Sequence, residues 1–155
     1  MPENDAVSDN TIRPARQADL PDLLDLYRHL SPDDPAPEPT RAEDAWTRTL
    51  ASNLVTVFVA ERGTELVAAC TLAILPNLTR NARSIGWIEN VVTRREYRRL
   101  GFGSRLLAVA LQAASNAGCY KVMLATGSDD EATLRFYRAA GFRQGGKTFF
   151  EFRPS

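Results

Sequence analysis

The fold is decided by one stretch, Ile88-Glu-Asn-Val-Val-Thr-Arg-Arg-Glu-Tyr-Arg-Arg-Leu-Gly-Phe-Gly-Ser-Arg-Leu-Leu107. Its first half reads as a strand that ends near Thr93, and from Leu106 onward apolar residues recur at helical spacing until Gly118. Between the two halves, Gly101 and Gly103 let the backbone turn tightly and direct several N–H groups toward one point. The helix dipole adds about half a positive charge at that point. The junction therefore predicts a phosphate-binding turn between a strand and a helix, although it is neither a Walker A loop nor a complete dinucleotide fingerprint.

The same stretch resembles the acetyl-CoA-binding motif of the GNAT N-acetyltransferases, in which a basic or amide residue and two spacers precede Gly-x-Gly. A second match lies downstream, because Phe136-Tyr-Arg-Ala-Ala-Gly-Phe142 is similar to the family's Phe-Tyr-x-x-x-Gly-Phe ending of the last helix. The two motifs occur in the family's order, and the resemblance covers about residues 12–152. Residues 88–92 and 118–124 also look like the corresponding stretches of glucosamine-6-phosphate N-acetyltransferases. Residues 125–130 are longer and lack an acidic residue that those enzymes carry, so their sugar substrate is not carried over.

The helices and strands on either side of this stretch predict an α+β (α/β-like) fold. We expect residues 11–155 to form one domain, which the resemblance implies is an N-acetyltransferase domain, preceded by a flexible N-terminus at residues 1–10. The resemblance implies the GNAT fold, a mixed, mostly antiparallel, twisted sheet with helices on both faces and one splayed strand pair. The predicted strands are 11–13, 55–59, 66–75, 84–93 and 120–125, with one or two more in 142–152. The predicted helices are 20–30, 41–52, the one ending at Gly118, and one that a capping box at 128–131 opens and Gly141 ends.

The resemblance implies that the strand ending at Thr93 splays from the strand starting near Tyr120, and that pantetheine lies in the gap. Backbone groups of Val91 and Thr93 would pair with the pantetheine amides. The N–H groups of Arg99, Gly101, Gly103 and Ser104 would hold the pyrophosphate. A positive field near the nucleotide would come from Arg94, Arg95, Arg98 and Arg99. We expect at least two of these four arginines to contact nothing. The residues assigned to acetyl-CoA, the expected cosubstrate, are Val91, Val92, Thr93, Arg98, Arg99, Leu100, Gly101, Phe102, Gly103 and Ser104.

Two side chains are the candidate catalytic residues. The resemblance places Tyr137 beside the sulfur that leaves, where a phenol can protonate or hydrogen-bond to a thiolate. Glu89 would deprotonate the ammonium group of the acceptor, directly or through water. The alternatives are a core tyrosine, and a Glu89 that forms a salt bridge or only orients the substrate. Asn90 is either a bulge residue or a substrate contact, and Asp130 is explained by helix capping.

Composition limits the other function classes. Nineteen basic and nineteen acidic residues give zero net charge, which argues against a nucleic-acid partner, although residues 80–105 carry a net charge of +5. The single His29 and the two distant cysteines predict no metal site and indicate reduced core thiols. The sequence contains no run of eighteen apolar residues and no signal-peptide pattern, which predicts a cytoplasmic protein without a membrane partner.

The expected function is acetyl-CoA-dependent transfer of an acetyl group to a primary amine, and the alternative is a catalytically silent CoA-binding sensor or scaffold. The acceptor pocket would be built from the first two helices, loop 31–40, the strand around Glu89 and loop 76–84. Eleven acidic residues against four arginines in residues 1–45 hint at a cationic acceptor. A possible homodimer is predicted because the C-terminal Thr148-Phe-Phe-Glu-Phe152 reads as an apolar strand that would be a risk as a bare edge.

Overall fold

A computed structural model describes residues 10–155 and shows one five-stranded sheet in the order β1-β2-β3-β4-β5. The strands are β1 Asn10–Pro14, β2 Val55–Arg62, β3 Glu65–Leu75, β4 Ile85–Thr93 and β5 Lys121–Leu124. The pairs β1–β2, β2–β3 and β3–β4 are antiparallel, whereas β5 runs parallel to β4. Apart from Asn10, which begins β1, the flexible segment predicted over residues 1–10 lies outside the described residues. The mixed, mostly antiparallel sheet is confirmed.

Helices cover both faces of this sheet. They are α1 Leu20–Tyr27, α2 Pro39–Ala51, the single turn α3 Thr79–Ala82, α4 Phe102–Asn116 and α5 Glu131–Ala139. The apolar spacing predicted α1, α2, α4 and α5, whereas α3 is a turn in which Arg80 and Asn81 have positive φ. Leu23, Leu26 and Trp46 of α1 and α2 pack with Val57 and Val59 of the sheet. The second core cluster joins α4 to the opposite face, with Phe136 and Tyr137 of α5 packed against it.

Strand β4 departs from regular pairing at Asn90. The register joins Thr71 to Glu89 and Ala69 to Val92, so β4 carries one extra residue opposite Cys70. Asn90 has φ 52°, in the left-handed region, which confirms the bulge expected here. Pairing between β4 and β5 ends at Ile88 with Leu124, although β4 continues to Thr93. The predicted splay of the two strands is therefore present, and it begins next to the bulge.

Two expectations about the C-terminal third are wrong. No strand forms in residues 142–152, where Phe149, Phe150 and Phe152 are exposed. Their aromatic side chains favour a strand, but among the described residues β5 pairs with β4 alone, and no ladder reaches this segment. The capping box predicted at Ser128 is replaced by Asp130, which accepts a hydrogen bond from the Thr133 N–H at 3.1 Å. Asp130 as a helix cap is confirmed.

Within residues 10–155, no helix has the length and apolar character needed to cross a membrane.

Candidate active site

A cleft of about 600 Å³ opens where β4 and β5 separate, and we call it the β4–β5 cleft. It lies between the end of β4, the start of α4 and the face of α5, where Phe136 and Tyr137 reach it. Leu100 and Glu89 are not among its lining residues, and Leu100 is 56% exposed. The structure brings together nine of the ten residues assigned to the cosubstrate: Val91, Val92, Thr93, Arg98, Arg99, Gly101, Phe102, Gly103 and Ser104.

The turn before α4 has the geometry of an anion site. Arg99 and Gly101 have φ of 63° and 83°, both in the left-handed region. The first backbone hydrogen bond of the helix runs from Arg105 N–H to the Gly101 carbonyl at 3.1 Å. In the part of the chain that the structure describes, the N–H groups of Phe102, Gly103 and Ser104 have no hydrogen-bond acceptor. These N–H groups at the positive end of a 15-residue helix can hold a pyrophosphate, so the cleft fits CoA.

The two glycines of the motif are needed for different reasons. An added Cβ at Gly101 would meet nothing within 4 Å, but its φ of 83° is unfavourable for any other residue. At Gly103, a Cβ would lie 3.1 and 3.2 Å from two ring carbons of Phe136 and 3.4 Å from Thr93 Oγ1. Gly103 therefore lets α5 pack closely on the start of α4. This contact between the two motifs was not foreseen from the sequence.

The four arginines after β4 divide into two pairs. Arg94 is 14% exposed, donates from Nε to the Leu66 carbonyl at 2.8 Å, and pairs through Nη1 with Asp25 Oδ2 at 2.7 Å. Its hydrogen bond to Asp25 lowers the pKa of that carboxyl group. Arg94 is thus a structural link to α1. Arg98 and Arg99 line the β4–β5 cleft, whereas Arg94 and Arg95 do not.

Arg98 also restricts the backbone of β4. Its Nε donates to the Thr93 carbonyl at 3.2 Å, so that carbonyl already has one donor. Among the described residues, the side chains of Arg95 and Arg99 make no ion pair or hydrogen bond, as expected for at least two of the four arginines. The free guanidinium in the cleft is that of Arg99.

Tyr137 is half-buried beside the splayed strands. Its ring centroid lies 5.1 Å from that of Phe136 and 6.1 Å from that of Phe142. Burial raises the pKa of the Tyr137 hydroxyl, and Cys70 and Glu89 raise it further. Within the described chain the hydroxyl has no hydrogen-bond partner. The phenol therefore keeps its proton at neutral pH and is free to donate it.

Glu89 lies outside the β4–β5 cleft. It is exposed, and the indole Nε1 of Trp87 donates to its Oε1 at 2.6 Å. Its partner across the ladder is Thr71, which lines a second cleft together with Asn90. The bulge thus places a carboxylate and an amide at the border of that second cleft. Trp87, which holds the carboxylate, was not predicted, although strand alternation places residues 87 and 89 on the same face of β4.

The second cleft, of about 620 Å³, lies between α1, α2 and the sheet, and we call it the α1–α2 cleft. Loop 31–40 contributes Pro37 and Glu38 to this cleft, and loop 76–84 contributes no lining residue. That loop folds on itself, because the Asn77 side chain donates to the carbonyls of Thr79 and Arg83. Burial raises the pKa of the Tyr27 hydroxyl, and the neighbouring Thr71, which also lines this cleft, lowers it.

The remaining candidates have structural roles. Cys70 is fully buried, and burial raises its pKa to about 12, so it is an inert core thiol. Cys119 is half-buried with a raised pKa, and both cysteines are free. His29 lines the β4–β5 cleft, with its Nε2 3.5 Å from Arg94 Nη1. Among residues 10–155, His, Cys, Asp and Glu side chains do not converge in threes as metal ligands would.

Comparisons with known proteins agree with one another. The sequence model of the acetyltransferase (GNAT) family matches residues 23–142. A glucosamine 6-phosphate N-acetyltransferase from Trypanosoma brucei brucei is 33% identical over 88% of this chain and 91% of its own length. A solved structure from Agrobacterium tumefaciens str. C58, classed as an acetyltransferase without a stated substrate, is 44% identical, covers 93% of this chain and 99% of its own, and has a TM-score of 0.88. An aminoglycoside N-acetyltransferase, AAC(6')-Iy, solved in complex with CoA, shares the fold at 16% identity, covering 100% of this chain and 99% of its own with a TM-score of 0.80.

Proposed function

Since the chain belongs to the GNAT acetyltransferase family and is an N-acetyltransferase, we propose that it moves the acetyl group of acetyl-CoA directly to a primary amine. The amine nitrogen forms a bond to the thioester carbonyl carbon, the carbon–sulfur bond breaks, and CoA leaves as a thiolate that takes up a proton. The observation that carries this proposal is the β4–β5 cleft, in which the N–H groups at the start of α4 and the Tyr137 hydroxyl line one cavity. A silent CoA-binding module, the alternative from the sequence, has no observation in its favour.

The proposed binding roles follow from the geometry of the turn. The N–H groups of Gly101, Phe102, Gly103 and Ser104 hold the pyrophosphate, and Arg99 adds a positive charge beside it. Val91 offers its backbone to pantetheine, as an edge strand offers unpaired groups to an added strand. The Thr93 carbonyl contributes less, since it accepts from Arg98. Leu100 supports the turn without lining the cleft.

Tyr137 and Glu89 are the proposed catalytic residues. Tyr137 donates a proton or a hydrogen bond to the departing sulfur, and its raised pKa keeps the donor form present. Glu89 takes the proton that the acceptor ammonium must lose, directly or through water. The hydrogen bond from Trp87 holds the Glu89 carboxylate in one orientation. Starting from the ammonium, the nitrogen loses two protons, one to Glu89 before attack and one as the amide forms. Tyr137 gives its proton to the thiolate and is reprotonated by the second of these, so one proton is released overall.

Calorimetric titration with CoA and with acetyl-CoA, at low and high salt, tests this proposal. We expect comparable affinities, because the acetyl group is small, and weaker binding at high salt because the turn holds charged phosphates. Addition of an amine to the acetyl-CoA complex is then expected to release free CoA thiol. Absence of binding by either compound at about millimolar concentration would exclude the assigned cleft and the function built on it.

We also propose a homodimer in which the C-terminal segment is covered by a second copy. Phe149, Phe150 and Phe152 are 62%, 87% and 87% exposed in a single chain, and such a cluster is costly in water. Sedimentation velocity at micromolar concentration is expected to give a dimer, and Phe150→Ser is expected to weaken it. A monomer at that concentration would refute the proposal.

A cytoplasmic location is proposed from the two free cysteines, one of them fully buried, which suit a reducing compartment. Cell fractionation tests it, and recovery of the protein in a secreted fraction would exclude it.

A further inference from the structure

The walls of the α1–α2 cleft are mainly apolar. Ten of its fifteen lining residues carry aliphatic or aromatic side chains, most of them on α1, α2 and β2. Three of them, Leu23, Trp46 and Val57, also belong to the buried core, so the floor of the cleft continues the core. Its volume of about 620 Å³ is within the usual range for small-molecule sites. A ligand would therefore be held here largely by removing apolar surface from water.

The charged groups in this cleft are few. Glu38 and Arg41 are the two charged lining residues. The two carboxylate oxygens of Glu38 accept hydrogen bonds from the N–H groups of Thr40 at 3.0 Å and Arg41 at 2.9 Å, so they already cap α2. One guanidinium then remains for an anionic ligand. The uncharged polar side chains that line the cleft, Tyr27, Thr49, Thr71 and Asn90, can bond to an amine or a hydroxyl group. A phosphate dianion is best held by several cations, and Arg41 is the one cation among these lining residues.

The polar end of the cleft lies at the β4 bulge. Asn90 lines the cleft, and Thr71, which also lines it, is the ladder partner of Glu89. The next residue, Val91, lines the β4–β5 cleft, where the acetyl group would be delivered. An amine bound with its nitrogen at the bulge would thus place the rest of the molecule between α1 and α2, against the apolar walls.

Resting on the proposed function, we infer that the acceptor is a primary amine with an apolar aliphatic or aromatic body. This class differs from the sugar phosphate named for the trypanosomal relative. The inference concerns the acceptor alone and leaves the cosubstrate assignment as it stands.

A homologous series of amines tests the inference. The value of kcat/KM is measured for n-propylamine, n-butylamine, n-pentylamine and n-hexylamine by release of CoA thiol from acetyl-CoA, with glucosamine 6-phosphate as the polar comparison. Burial of one methylene group is worth about fourfold in binding, so we expect kcat/KM to rise roughly two- to fourfold with each added methylene. Glucosamine 6-phosphate is expected to react more slowly than n-hexylamine.

Two variants on α2 locate the effect. Ala42 is half-buried and lines the cleft, whereas Ala51, on the same helix, is exposed and does not line it. Ala42→Phe fills the cleft and is expected to flatten the dependence on chain length while the Kd of CoA stays unchanged. Ala51→Phe adds the same ring outside the cleft and is expected to retain the wild-type series.

A flat series in the wild type, a faster reaction with glucosamine 6-phosphate, or an unaltered series in Ala42→Phe would overturn the inference. Binding of CoA without thiol release by any alkylamine would also overturn it, while the cosubstrate assignment stands. Failure of both CoA and acetyl-CoA to bind would overturn the proposed function, and this inference with it.

Discussion

The two clefts that border β4 have similar volumes, about 600 and 620 Å³, but are built from different parts of the chain. The polar half of the β4–β5 cleft is made by the backbone of a single turn, with left-handed residues and free N–H groups at the start of α4. The α1–α2 cleft is made by side chains from α1, α2 and three strands. A backbone site is a local property and can be indicated by a short motif. A side-chain site exists only once distant elements have packed.

The largest expected effect in the β4–β5 cleft is that of Gly103→Val. Its added Cβ would approach the Phe136 ring at 3.1 Å, so α5 or the start of α4 must shift. We expect CoA affinity to fall at least about 100-fold in calorimetric titration, with a Tm several degrees lower. Gly101→Ala has free space and carries only backbone strain of about 1 to 2 kcal/mol, so its stability is expected to fall less.

A second substitution shows whether packing is the cause. Phe136→Leu removes ring atoms that the new Cβ would contact, so the double variant with Gly103→Ala is expected to regain part of the stability that Gly103→Ala loses. If Gly103→Val binds CoA normally and keeps its Tm, the link between the two motifs is wrong.

Tyr137→Phe is expected to lower kcat by roughly ten- to a hundredfold, the lower part of the range for one acid–base group, since the thiolate is a fair leaving group. CoA affinity and Tm are expected to change little, because the ring remains in place. The acid form is the active form and its pKa is raised, so ionisation of this phenol should not reduce the rate below about pH 10.

The matched control is Tyr120→Phe, a half-buried phenol that lines neither cleft, which is expected to leave kcat unchanged. Full activity of Tyr137→Phe on a verified acceptor would make Tyr137 a core residue. Lost CoA binding in that variant would make it a positioning residue.

The contrast between the clefts also explains what the sequence could predict. The turn at Arg99 to Gly101 follows from the glycines before α4 and was predicted from them. The bulge at Asn90 was one of two alternatives that the polar residues of β4 left open, and the splay after Ile88 was implied by the family resemblance. The closeness of Gly103 to Phe136 joins residues 33 positions apart, and no local pattern reports such a contact. The same holds for Arg94, whose charge suggests a ligand although its partners are Asp25 and the Leu66 carbonyl.

The C-terminal segment shows that a local pattern favouring a strand does not ensure that a strand forms. Residues 148–152 have the aromatic composition typical of a strand, yet a strand requires a neighbour with free backbone groups, and composition does not provide one. Loop 76–84 was expected at the acceptor pocket; its own hydrogen bonds fold it on itself, and it lines neither the α1–α2 cleft nor the β4–β5 cleft. In both cases the position of the segment depends on contacts that its own sequence does not specify.

Glu89→Gln tests whether the carboxylate at the border between the two clefts takes the proton of the acceptor. We expect about a tenfold lower rate at pH 7, partly recovered at higher pH, where the amine loses its proton without help. Trp87→Phe keeps the ring but removes the N–H that donates to Glu89, so a smaller loss in the same direction is expected. A pH–rate profile of both variants measures this, and a Glu89→Gln profile parallel to the wild type at all pH values would assign Glu89 to substrate orientation.

The smallest expected effect on CoA affinity comes from removing one charge among the arginines after β4. Some of these arginines line the β4–β5 cleft and others do not. Arg99 has an unpaired guanidinium in the cleft. Arg95 lies four positions earlier, in the 3-10 helix Arg95–Tyr97, and does not line the cleft. Because an exposed charge interaction is worth about 0.2 to 1 kcal/mol, Arg99→Gln should weaken CoA binding roughly two- to fivefold and reduce its dependence on salt. Arg95→Gln removes the same charge from the same surface and should change neither quantity. Calorimetric titration of both variants at two salt concentrations measures the difference in CoA affinity. Equal weakening of CoA binding in Arg99→Gln and Arg95→Gln would mean that CoA responds to the general positive field of residues 80–105 and not to a guanidinium placed in the cleft.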